Sequence, residues 1–283
     1  MSKIAVIGIT GESVFLSVDE FGATGETVKA TSYHKELGGK GFNQAIAAAL
    51  YGAEVSFLCA CHYDDVKYFS ASAKSKGIKS YFVGKGERSP YAVITIDKNG
   101  DNRVLVYRGA ELEERDVDLF EEQIKDADIL LINNEVPIEV NKKAIKIAKK
   151  NGVKVVLNPA PWRQHEKSFL DSIDLFTPNE HETFGLDDYQ NVIVTLGGQG
   201  CLIRRSNEII PAKKVDKVVD TTGAGDVFNG VLVACLAEGA DIKNACKTAN
   251  IAAAIKVGKK FIFNSVPTKN EIINKDKKGV RNG

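Results

Sequence analysis

Short apolar runs alternate with helical patterns along most of this chain. The apolar runs, which predict buried strands, cover residues 3–8, 54–60, 78–83, 129–132, 153–157, 175–177 and 192–196. The helical patterns cover residues 42–51, 65–76, 117–125, 138–150, 227–237 and 242–257, and a short helix is predicted after Pro267. Strands and helices that alternate in this way are typical of a parallel sheet with helices on both faces. The sequence therefore predicts an α/β fold built on a mostly parallel central sheet.

Two segments break this alternation and predict a small second sheet. Residues 13–35 and 91–108 alternate between apolar and polar side chains with a period of two, and no helix separates their strands. Residues 97–101 have the sequence Asp-Lys-Asn-Gly-Asp, which is typical of a hairpin loop. Because the sequence contains no internal repeat and no low-complexity linker, we expect a single domain over residues 1–283, with these strands forming a flap over a cleft.

The composition excludes several classes of protein. The chain has 283 residues, of which 43% are hydrophobic, and this is ample for a core and excludes a disordered chain. Its 38 basic and 37 acidic residues give a formal charge of +1, so we expect no nucleic-acid or membrane partner. No apolar run approaches the roughly 18 residues of a membrane span. The five cysteines are odd in number and scattered, so we expect reduced thiols in a cytoplasmic protein.

Three glycine-rich segments are candidate ligand-binding loops. Residues 37–43, 196–200 and 221–226 have the sequences LGGKGFN, LGGQG and TTGAGD. They lack the spacing of the common phosphate-binding loop, because Lys40 is followed by glycine rather than by Ser or Thr. They also lack the dinucleotide-binding spacing, because Phe228 stands where a third glycine is needed. Hydride transfer and ordinary nucleoside triphosphatase activity therefore lose their main support.

The last of these segments carries the strongest chemical signal. Gly223, Ala224 and Gly225 lead directly into a helix, so their N–H groups and the helix dipole favour a bound anion. Asp226 lies in the first turn beside that anion, where a carboxylate suits a base that takes a proton from an attacking alcohol. A tight turn followed by an acid that only stabilises the helix dipole explains the same residues equally well.

Asn179 and Glu182 follow the predicted strand at residues 175–177. On a helical turn their spacing of three residues places them on one face, where together they can hold the water shell of Mg²⁺. The same spacing is close to that of a capping box, which is the favoured interpretation of the pair in isolation.

Lys40, Asn43 and Glu135 are candidate substrate-binding residues. The Gly38–Gly39 pair permits close approach of a ligand, and Lys40 and Asn43 can bind hydroxyl groups or a phosphate. Glu135 follows a predicted strand at its carboxyl end, where open α/β sheets bind ligands. The alternatives are a solvated lysine in an ordinary strand-to-helix turn and an exposed loop acid.

Taken in order, these segments resemble the signatures of the ribokinase-like, or phosphofructokinase B-type, carbohydrate kinases. Residues 25–28 (GETV) and 38–45 (GGKGFNQA) are similar to the first family signature, and residues 220–230 (DTTGAGDVFNG) are similar to the second. Residues 158–161 (NPAP) and 177–180 (TPNE) resemble ribokinase in particular. The resemblance spans nearly the whole chain and implies the ribokinase-like three-layer fold, in which the flap is a small β-sheet lid.

The resemblance also implies ATP-dependent phosphorylation of a sugar hydroxyl. Asp226 would be the catalytic base, with an anion hole formed by Gly223, Ala224 and Gly225. Asn179 and Glu182 would order Mg²⁺ through water. The residues implied to line the nucleotide site are Asn179, Thr195, Gly197, Gly198, Gly200, Gly225 and Asn250. Those implied to contact the sugar are Gly11, Ser13, Gly39, Lys40, Asn43, Glu135 and Asp226. The lid would exclude water and, as in many relatives, form the interface of a homodimer.

One departure from the family pattern leaves the substrate open. Ribokinases usually carry an Asn and an Asp at the positions of Gly11 and Ser13, and Glu12 between them points to the opposite face of a continuing strand. The alternative substrates are a nucleoside or another non-ribose polyol. A sugar- or nucleotide-binding relative without catalytic activity is a further alternative.

Two other departures concern a helix and a cation. Only residues 183–191 separate the Asn179 motif from the next strand, which is too short for the usual crossover helix. The loop that often binds a monovalent cation in the family normally contains glycine, but here Phe261 follows Lys260. K⁺ is still a candidate activator, with oxygen ligands from Asp220, Thr222 and Ser265.

Overall fold

The computed structural model describes residues 1–99 and 101–280, so Gly100 in the predicted hairpin loop and residues 281–283 of the predicted domain lie outside the described residues. The strands are β1 (Lys3–Ile7), β2 (Gly11–Ser17), β3 (Ser32–Gly38), β4 (Glu54–Cys61), β5 (Ile78–Gly84), β6 (Tyr91–Ile96), β7 (Asn102–Tyr107), β8 (Ile129–Asn133), β9 (Lys154–Asn158), β10 (Leu175–Phe176), β11 (Ile193–Thr195), β12 (Cys201–Ile203) and β13 (Glu208–Ile210). The α-helices are α1 (Lys40–Tyr51), α2 (Val66–Ser75), α3 (Glu121–Lys125), α4 (Ile138–Lys150), α5 (Lys167–Leu170), α6 (Ala224–Ala237), α7 (Ile242–Val257) and α8 (Lys269–Val280).

A parallel six-stranded sheet lies between two layers of helices. Its strand order is β10-β9-β8-β1-β4-β5, and every pairing is parallel. Side chains of β1 alternate between two cores: Ile4 and Val6 pack with α1, α2, α6, α7 and α8, whereas Ala5 and Ile7 pack with α3, α4 and α5. Burial of both faces explains why this strand is a continuous apolar run. The predicted three-layer α/β fold is confirmed.

The lid is a separate four-stranded sheet. Its order is β3-β2-β6-β7, in which β2 and β6 are parallel and the other pairs are antiparallel. The register pairs Gly11 of β2 with Gly38 of β3. Because β2 follows β1 and β3 leads into α1, this end of the lid stands at the carboxyl edge of the central sheet. The strands extend a few residues beyond the predicted segments at both of these positions.

Residues 192–196 do not join the central sheet as a regular strand. β11 instead pairs with β12 in an antiparallel three-stranded sheet, and only single parallel bridges, Phe176 to Val192 and Asn179 to Thr195, link it to β10 and the segment that follows. The chain turns back directly after β11, which favours pairing with its own hairpin partner. The described chain has no α-helix between β10 and β11, as the short connection predicts.

The helix predicted at residues 117–125 is tighter at its start. A 3-10 helix, Glu114–Phe120, precedes the short α3. The Asp116 carboxylate accepts hydrogen bonds from the Glu113 N–H and the Lys85 ammonium, at 2.7 and 2.6 Å, and these bonds favour a compact first turn.

None of the described helices has the length and apolarity to cross a bilayer.

Helices α1 and α6 pack closely at Gly230. A methyl group at this position would lie 2.3 Å from the Gln44 carbonyl oxygen and 2.6 Å from the Ala47 methyl group. Since both neighbours are in the middle of α1, neither can move without shifting the helix. The absence of a side chain at Gly230 therefore sets the distance between the two helices.

We expect Gly230→Ala to lower the free energy of unfolding by about 1–3 kcal/mol, because the added methyl group overpacks this contact. Urea unfolding at constant pH measures the effect. Gly258→Ala is the matched control, since its methyl group would meet nothing closer than 3.5 Å and its backbone φ is −80°. An unfolding free energy for Gly230→Ala equal to that of the control would show that the helix contact is not tight.

Candidate active site

The candidate site lies at the carboxyl edge of the central sheet. Gly8 follows β1, Asn133 ends β8 and Asn158 ends β9. Helix α1 begins so close to β1 that a methyl group on Gly41 would lie 2.7 Å from the Gly8 Cα atom. The N-terminus of α6 reaches the same edge, because α6 packs on α1. Open α/β sheets bind ligands at this edge, where the strand order leaves a crevice.

Asp226 is buried in the first turn of α6, with 8% of its surface exposed. Its Oδ2 atom accepts a hydrogen bond from the Asn43 amide at 2.9 Å, and its Oδ1 atom accepts one from the Gln44 amide at 3.2 Å. The Gln44 nitrogen also donates to Asn158 Oδ1 at 3.0 Å. Within the described residues, the buried Asn43 Oδ1 atom has no partner. The carboxylate is therefore fixed in position, with an open hydrogen-bond acceptor beside it.

The N-terminus of α6 presents open N–H groups next to this carboxylate. Gly223 adopts a left-handed conformation with φ 72°, and a methyl group there would lie 2.5 Å from the Ile262 side chain. Of the three residues predicted to form the anion hole, Ala224 donates its N–H to the Thr221 carbonyl, so this group is not available to an anion. The N–H groups of Gly223, Gly225 and Asp226 donate to no group in the described part of the chain. The first turn thus has the donors and the positive dipole end that bind an oxyanion.

Lys40 and Glu135 form the charged side of the site. The Asp226 carboxylate raises the pKa of Lys40, burial opposes the shift, and Glu135 and Glu182 add to it. Burial raises the pKa of Glu135 to about 8, with Asp226 adding to the shift and Lys40 opposing it. Glu135 also accepts a hydrogen bond from the Gly41 N–H at 3.3 Å. The structure thus brings three predicted residues, Lys40, Glu135 and Asp226, into one electrostatic cluster.

A cleft of about 490 Å³ adjoins the N-terminus of α6. All the residues predicted for the nucleotide site line it, namely Asn179, Thr195, Gly197, Gly198, Gly200, Gly225 and Asn250. Its apolar lining residues include Phe228, Ala253 and Val257. The Asn250 amide donates to the Ile210 and Pro211 carbonyl groups at 2.9 and 3.2 Å, so Asn250 also braces the wall. The cleft combines an apolar slot with a polar, glycine-rich end.

Asn179 and Glu182 form a capping box on the 3-10 helix Glu180–Glu182. Asn179 Oδ1 accepts from the His181 N–H at 2.9 Å, and Glu182 Oε2 accepts from the Asn179 N–H at 3.0 Å. The turn is therefore 3-10 rather than α-helical. Each side chain keeps acceptor capacity outside the cap, and Glu182 is close enough to Lys40 to influence its pKa.

Gly11, Glu12 and Ser13 lie at the end of β2 that is nearest to the site. A methyl group on Gly11 would lie 2.0 Å from the Pro90 carbonyl oxygen, so this backbone contact leaves no room for a larger side chain. Ser13 is buried, with its hydroxyl against Gly38. Glu12 points away and pairs with Lys35 at 2.7 Å, as its place between them in the strand predicts.

Gly39 at the start of α1 adopts φ 112°, and a methyl group there would lie 2.3 Å from the Ile9 carbonyl oxygen. This close approach brings the N-terminus of α1 onto the end of β1. The predicted sugar contacts, Gly11, Ser13, Gly39, Lys40, Asn43, Glu135 and Asp226, thus surround one region between the lid and the sheet edge.

The three candidate cation ligands are engaged in other contacts. Asp220 accepts hydrogen bonds from the backbone N–H groups of Thr222 and Phe261, each at 2.8 Å. The Ser265 hydroxyl donates to the Lys260 carbonyl. Burial alone would raise the pKa of Asp220, but the hydrogen bonds from Thr222 and Phe261 and the nearby Lys256 ammonium lower it.

Three features near the site were not predicted from the sequence, namely Gln44, Lys256 and the basic pair Lys213–Lys214. Of these, only the basic pair lines the cleft. Gln44 stands beside Asn43 at the start of an otherwise apolar helical run, and such a polar pair signals a buried network. Lys256 is a single charge in the apolar end of α7, where a buried lysine requires an oxygen partner. Lys213–Lys214 follows a short strand and carries no distinctive signal.

The chain is similar to known carbohydrate kinases over nearly its whole length. Residues 1–269 match the model of the pfkB family carbohydrate kinases. The chain is 35% identical to a ribokinase of Haemophilus influenzae, and the match covers 95% of this chain and 97% of the relative. It is 34% identical to a bifunctional ribokinase/ribose-5-phosphate isomerase A of Fructilactobacillus sanfranciscensis, covering 97% of this chain and 56% of that relative, so it spans about half of that protein.

Solved structures agree with this similarity. A ribokinase from Thermotoga maritima superposes with a TM-score of 0.86 at 31% identity, covering 98% of this chain and 100% of that one. A ribokinase from Cryptococcus neoformans in complex with ADP superposes with a TM-score of 0.84 at 27% identity, covering 96% and 98% of the two chains.

We expect Glu135→Gln to change how stability depends on pH. Between pH 5 and 8 the folded protein holds the Glu135 proton that the unfolded chain has lost, so the free energy of unfolding falls as pH rises. The variant cannot lose this proton. The difference in the free energy of unfolding, variant minus wild type, should therefore grow across this range by up to about 1.4 kcal/mol per pH unit. It should level off above the folded-state pKa of Glu135. Urea unfolding of both proteins at a series of pH values measures the difference, and parallel curves would contradict the raised pKa.

Proposed function

The chain belongs to the pfkB family of carbohydrate kinases and is an ATP-dependent sugar kinase, and we propose that it transfers the γ-phosphoryl group of ATP to a primary hydroxyl of a pentose or related sugar. The observation that carries this proposal is the buried Asp226 carboxylate beside open N–H groups at the start of α6. Residues 1–283 would act as one kinase domain, with the lid strands covering the sugar.

Asp226 is the proposed general base. Each of its oxygens accepts one bond from α1 and keeps a second lone pair for the sugar hydroxyl. As the hydroxyl oxygen attacks the γ-phosphorus, its proton passes to Asp226, the bond between the γ-phosphorus and the β,γ-bridging oxygen breaks, and ADP leaves. The Asn43 Oδ1 atom, which is buried and has no partner in the described residues, would accept a hydrogen bond from a neighbouring sugar hydroxyl. Asn43 and Gln44 thus orient the base, and Asn43 also binds the sugar.

Charge that develops on the transferring phosphoryl group would be stabilised by the N–H groups of Gly223, Gly225 and Asp226, and by Lys40. The helix dipole acts in the same direction. The Ala224 N–H of the predicted anion hole is not part of this set, because it bonds to the Thr221 carbonyl. Glu135 would hold the sugar, and because its raised pKa keeps the proton on near neutral pH, it would donate a hydrogen bond to a sugar oxygen. The lid limits loss of the phosphoryl group to water.

Asn179 and Glu182 fit a hydrated Mg²⁺ better than a direct ligand cage. In residues 1–99 and 101–280, no three His, Cys, Asp or Glu side chains are grouped closely enough to hold a metal ion. The capping box uses Glu182 Oε2 and leaves Oε1 available for a water of the metal. Bound with ATP, Mg²⁺ would neutralise phosphate charge.

K⁺ is not part of the proposed mechanism, because the Lys256 ammonium already lies against Asp220.

Substrate choice depends on the site beside β2. The contact between Gly11 and Pro90 and the short Ser13 side chain leave no carboxylate at these two positions. A nucleoside or another non-ribose polyol is therefore the second candidate substrate.

The lid carries the proposed homodimer interface. Successive side chains of Val104, Leu105, Val106 and Tyr107 in the edge strand β7 point to opposite faces, yet each of the four is more than half exposed. An exposed apolar edge strand is a surface that a second copy of the lid can cover.

A cytoplasmic location is part of the proposal, because all five cysteines are free thiols.

Asp226→Asn should lower kcat for sugar-dependent ADP formation by about 10²–10⁴, because it removes the proton acceptor. A coupled ADP assay measures kcat, and calorimetry with ATP verifies that the nucleotide cleft is intact. Asp216→Asn, at an exposed acid in the loop that precedes α6, is the control and should retain wild-type activity. Activity of Asp226→Asn within about tenfold of the wild type would exclude Asp226 as the base. ATP binding by the wild type without any ADP release would instead favour the non-catalytic alternative.

A substrate panel separates the two substrate classes. We expect turnover of pentoses and none of 5-deoxyribose, which lacks the primary hydroxyl group. ADP release is measured for ribose, 2-deoxyribose, 5-deoxyribose and a set of nucleosides at equal concentrations. A kcat/KM for a nucleoside about tenfold or more above that of every free sugar, worth about 1.4 kcal/mol, would favour the second candidate. Efficient turnover of ribose at low concentration would exclude it.

A further inference from the structure

Lys256, the second-last residue of α7, is a fully buried lysine with 0% of its surface exposed. Its ammonium donates to the Asp220 carbonyl oxygen at 2.8 Å and to the Lys259 carbonyl oxygen at 3.4 Å. It also lies 3.5 Å from the Asp220 Oδ2 atom. The cationic head is thus surrounded by two carbonyl oxygens and a carboxylate, in the interior of the protein.

This environment is suited to a positive charge for two reasons. The N–H groups of Val219 and Asp220 both donate to the Val257 carbonyl, so the segment before α6 is docked on the C-terminal end of α7, where the helix dipole is negative. A buried ammonium also needs an opposite charge, and Asp220 supplies it. Burial lowers the pKa of Lys256, and the Asp220 carboxylate opposes that shift.

This arrangement does not fit a K⁺ ion, because the Lys256 ammonium already lies against the carbonyl and carboxylate oxygens of Asp220. Both carboxylate oxygens of Asp220 accept backbone N–H groups, those of Thr222 and Phe261, and the carbonyl oxygen of Asp220 accepts from Lys256. The Ser265 hydroxyl donates to a carbonyl group of its own loop. An ion placed against Asp220 would have to displace an ammonium that already neutralises the same oxygens.

We propose that the Lys256 ammonium takes the place of a monovalent cation, so that this kinase keeps its active arrangement without K⁺. Lys256 is a positioning residue. It holds the Asp220 carbonyl, while the Asp220 carboxylate holds the Thr222 N–H, and the open turn of α6 begins directly after this pair. The inference rests on the proposed function only where sugar kinase activity is the quantity measured.

The first test uses the wild-type protein in choline chloride, NaCl, KCl and NH₄Cl at equal ionic strength. We measure the melting temperature, the Kd for ADP by calorimetry and, in addition, sugar kinase activity. A bound ion would stabilise the folded state in proportion to the logarithm of its concentration. We expect K⁺ to change none of the three quantities relative to choline. A melting temperature that rises with KCl but not with choline chloride, or activation by K⁺ of more than about fivefold, would overturn the proposal.

The second test compares two variants. Lys256→Ala leaves space between the oxygens, and we expect weaker ADP binding and at least about fivefold lower activity in choline, with recovery in KCl or NH₄Cl. Lys256→Met fills the same space without charge, so it should lose activity without recovery in any salt. Lys247→Met, at an exposed lysine of the same helix, is the control and should behave as the wild type.

Lys256→Met with wild-type properties in choline, or Lys256→Ala impaired equally in every salt, would contradict the proposal. If neither variant folds, the wild-type series decides the matter alone. The melting temperature and ADP binding do not require a sugar substrate, so they distinguish failure of this inference from failure of the proposed kinase reaction.

Discussion

The hydrogen bonds from Asn43 and Gln44 to Asp226 are the interaction on which the rest of the site depends. They join two helices whose contributing residues lie more than 180 positions apart. They form because Gly230 lets α6 approach the backbone of α1. Gln44 extends the network to Asn158 at the end of β9, so the carboxylate is fixed relative to the central sheet as well. A buried carboxylate without such donors would be costly, and here its desolvation is offset by the bonds that also orient it.

The charges around this carboxylate explain how an acidic site can receive an anionic substrate. Asp226, Glu135 and Glu182 share the neighbourhood of a single ammonium, that of Lys40. Burial shifts the pKa of Glu135 to about 8, so near neutral pH one of the three acids is largely uncharged. In the proposed reaction, the uncharged Glu135 would repel phosphate less and would donate a hydrogen bond to the sugar instead of accepting one. Burial of Glu135 would thus favour binding of both ATP and the sugar.

Local sequence patterns predicted the parts of this molecule that depend on local physics. Periodicity predicted the ends of the central strands to within one residue, and it predicted α4 and α7 with their observed bounds, because strand and helix periods are properties of neighbouring residues. The sheet to which residues 192–196 belong depends on where the chain turns next, and the periodicity of the strand itself does not contain that information. Gln44 and Lys256 act through partners far away in the sequence, so only the fold reveals what they contact. The raised pKa of Glu135 likewise follows from burial, which no motif encodes.

The cation position, the start of α6 and the lid are connected through one loop. The Asp220 carboxylate accepts the N–H of Phe261, whose φ of 61° is unusual for a residue with a side chain. The Phe261 ring stacks on His34 of the lid at 3.5 Å, and the Glu36 carboxylate of the same strand accepts the next two N–H groups of the loop. A strained backbone of this kind persists only where its surroundings hold it, and here Asp220 holds one side and the lid holds the other. An ammonium that never dissociates would therefore keep the loop, and with it the closed edge of the lid, in one arrangement at every salt concentration.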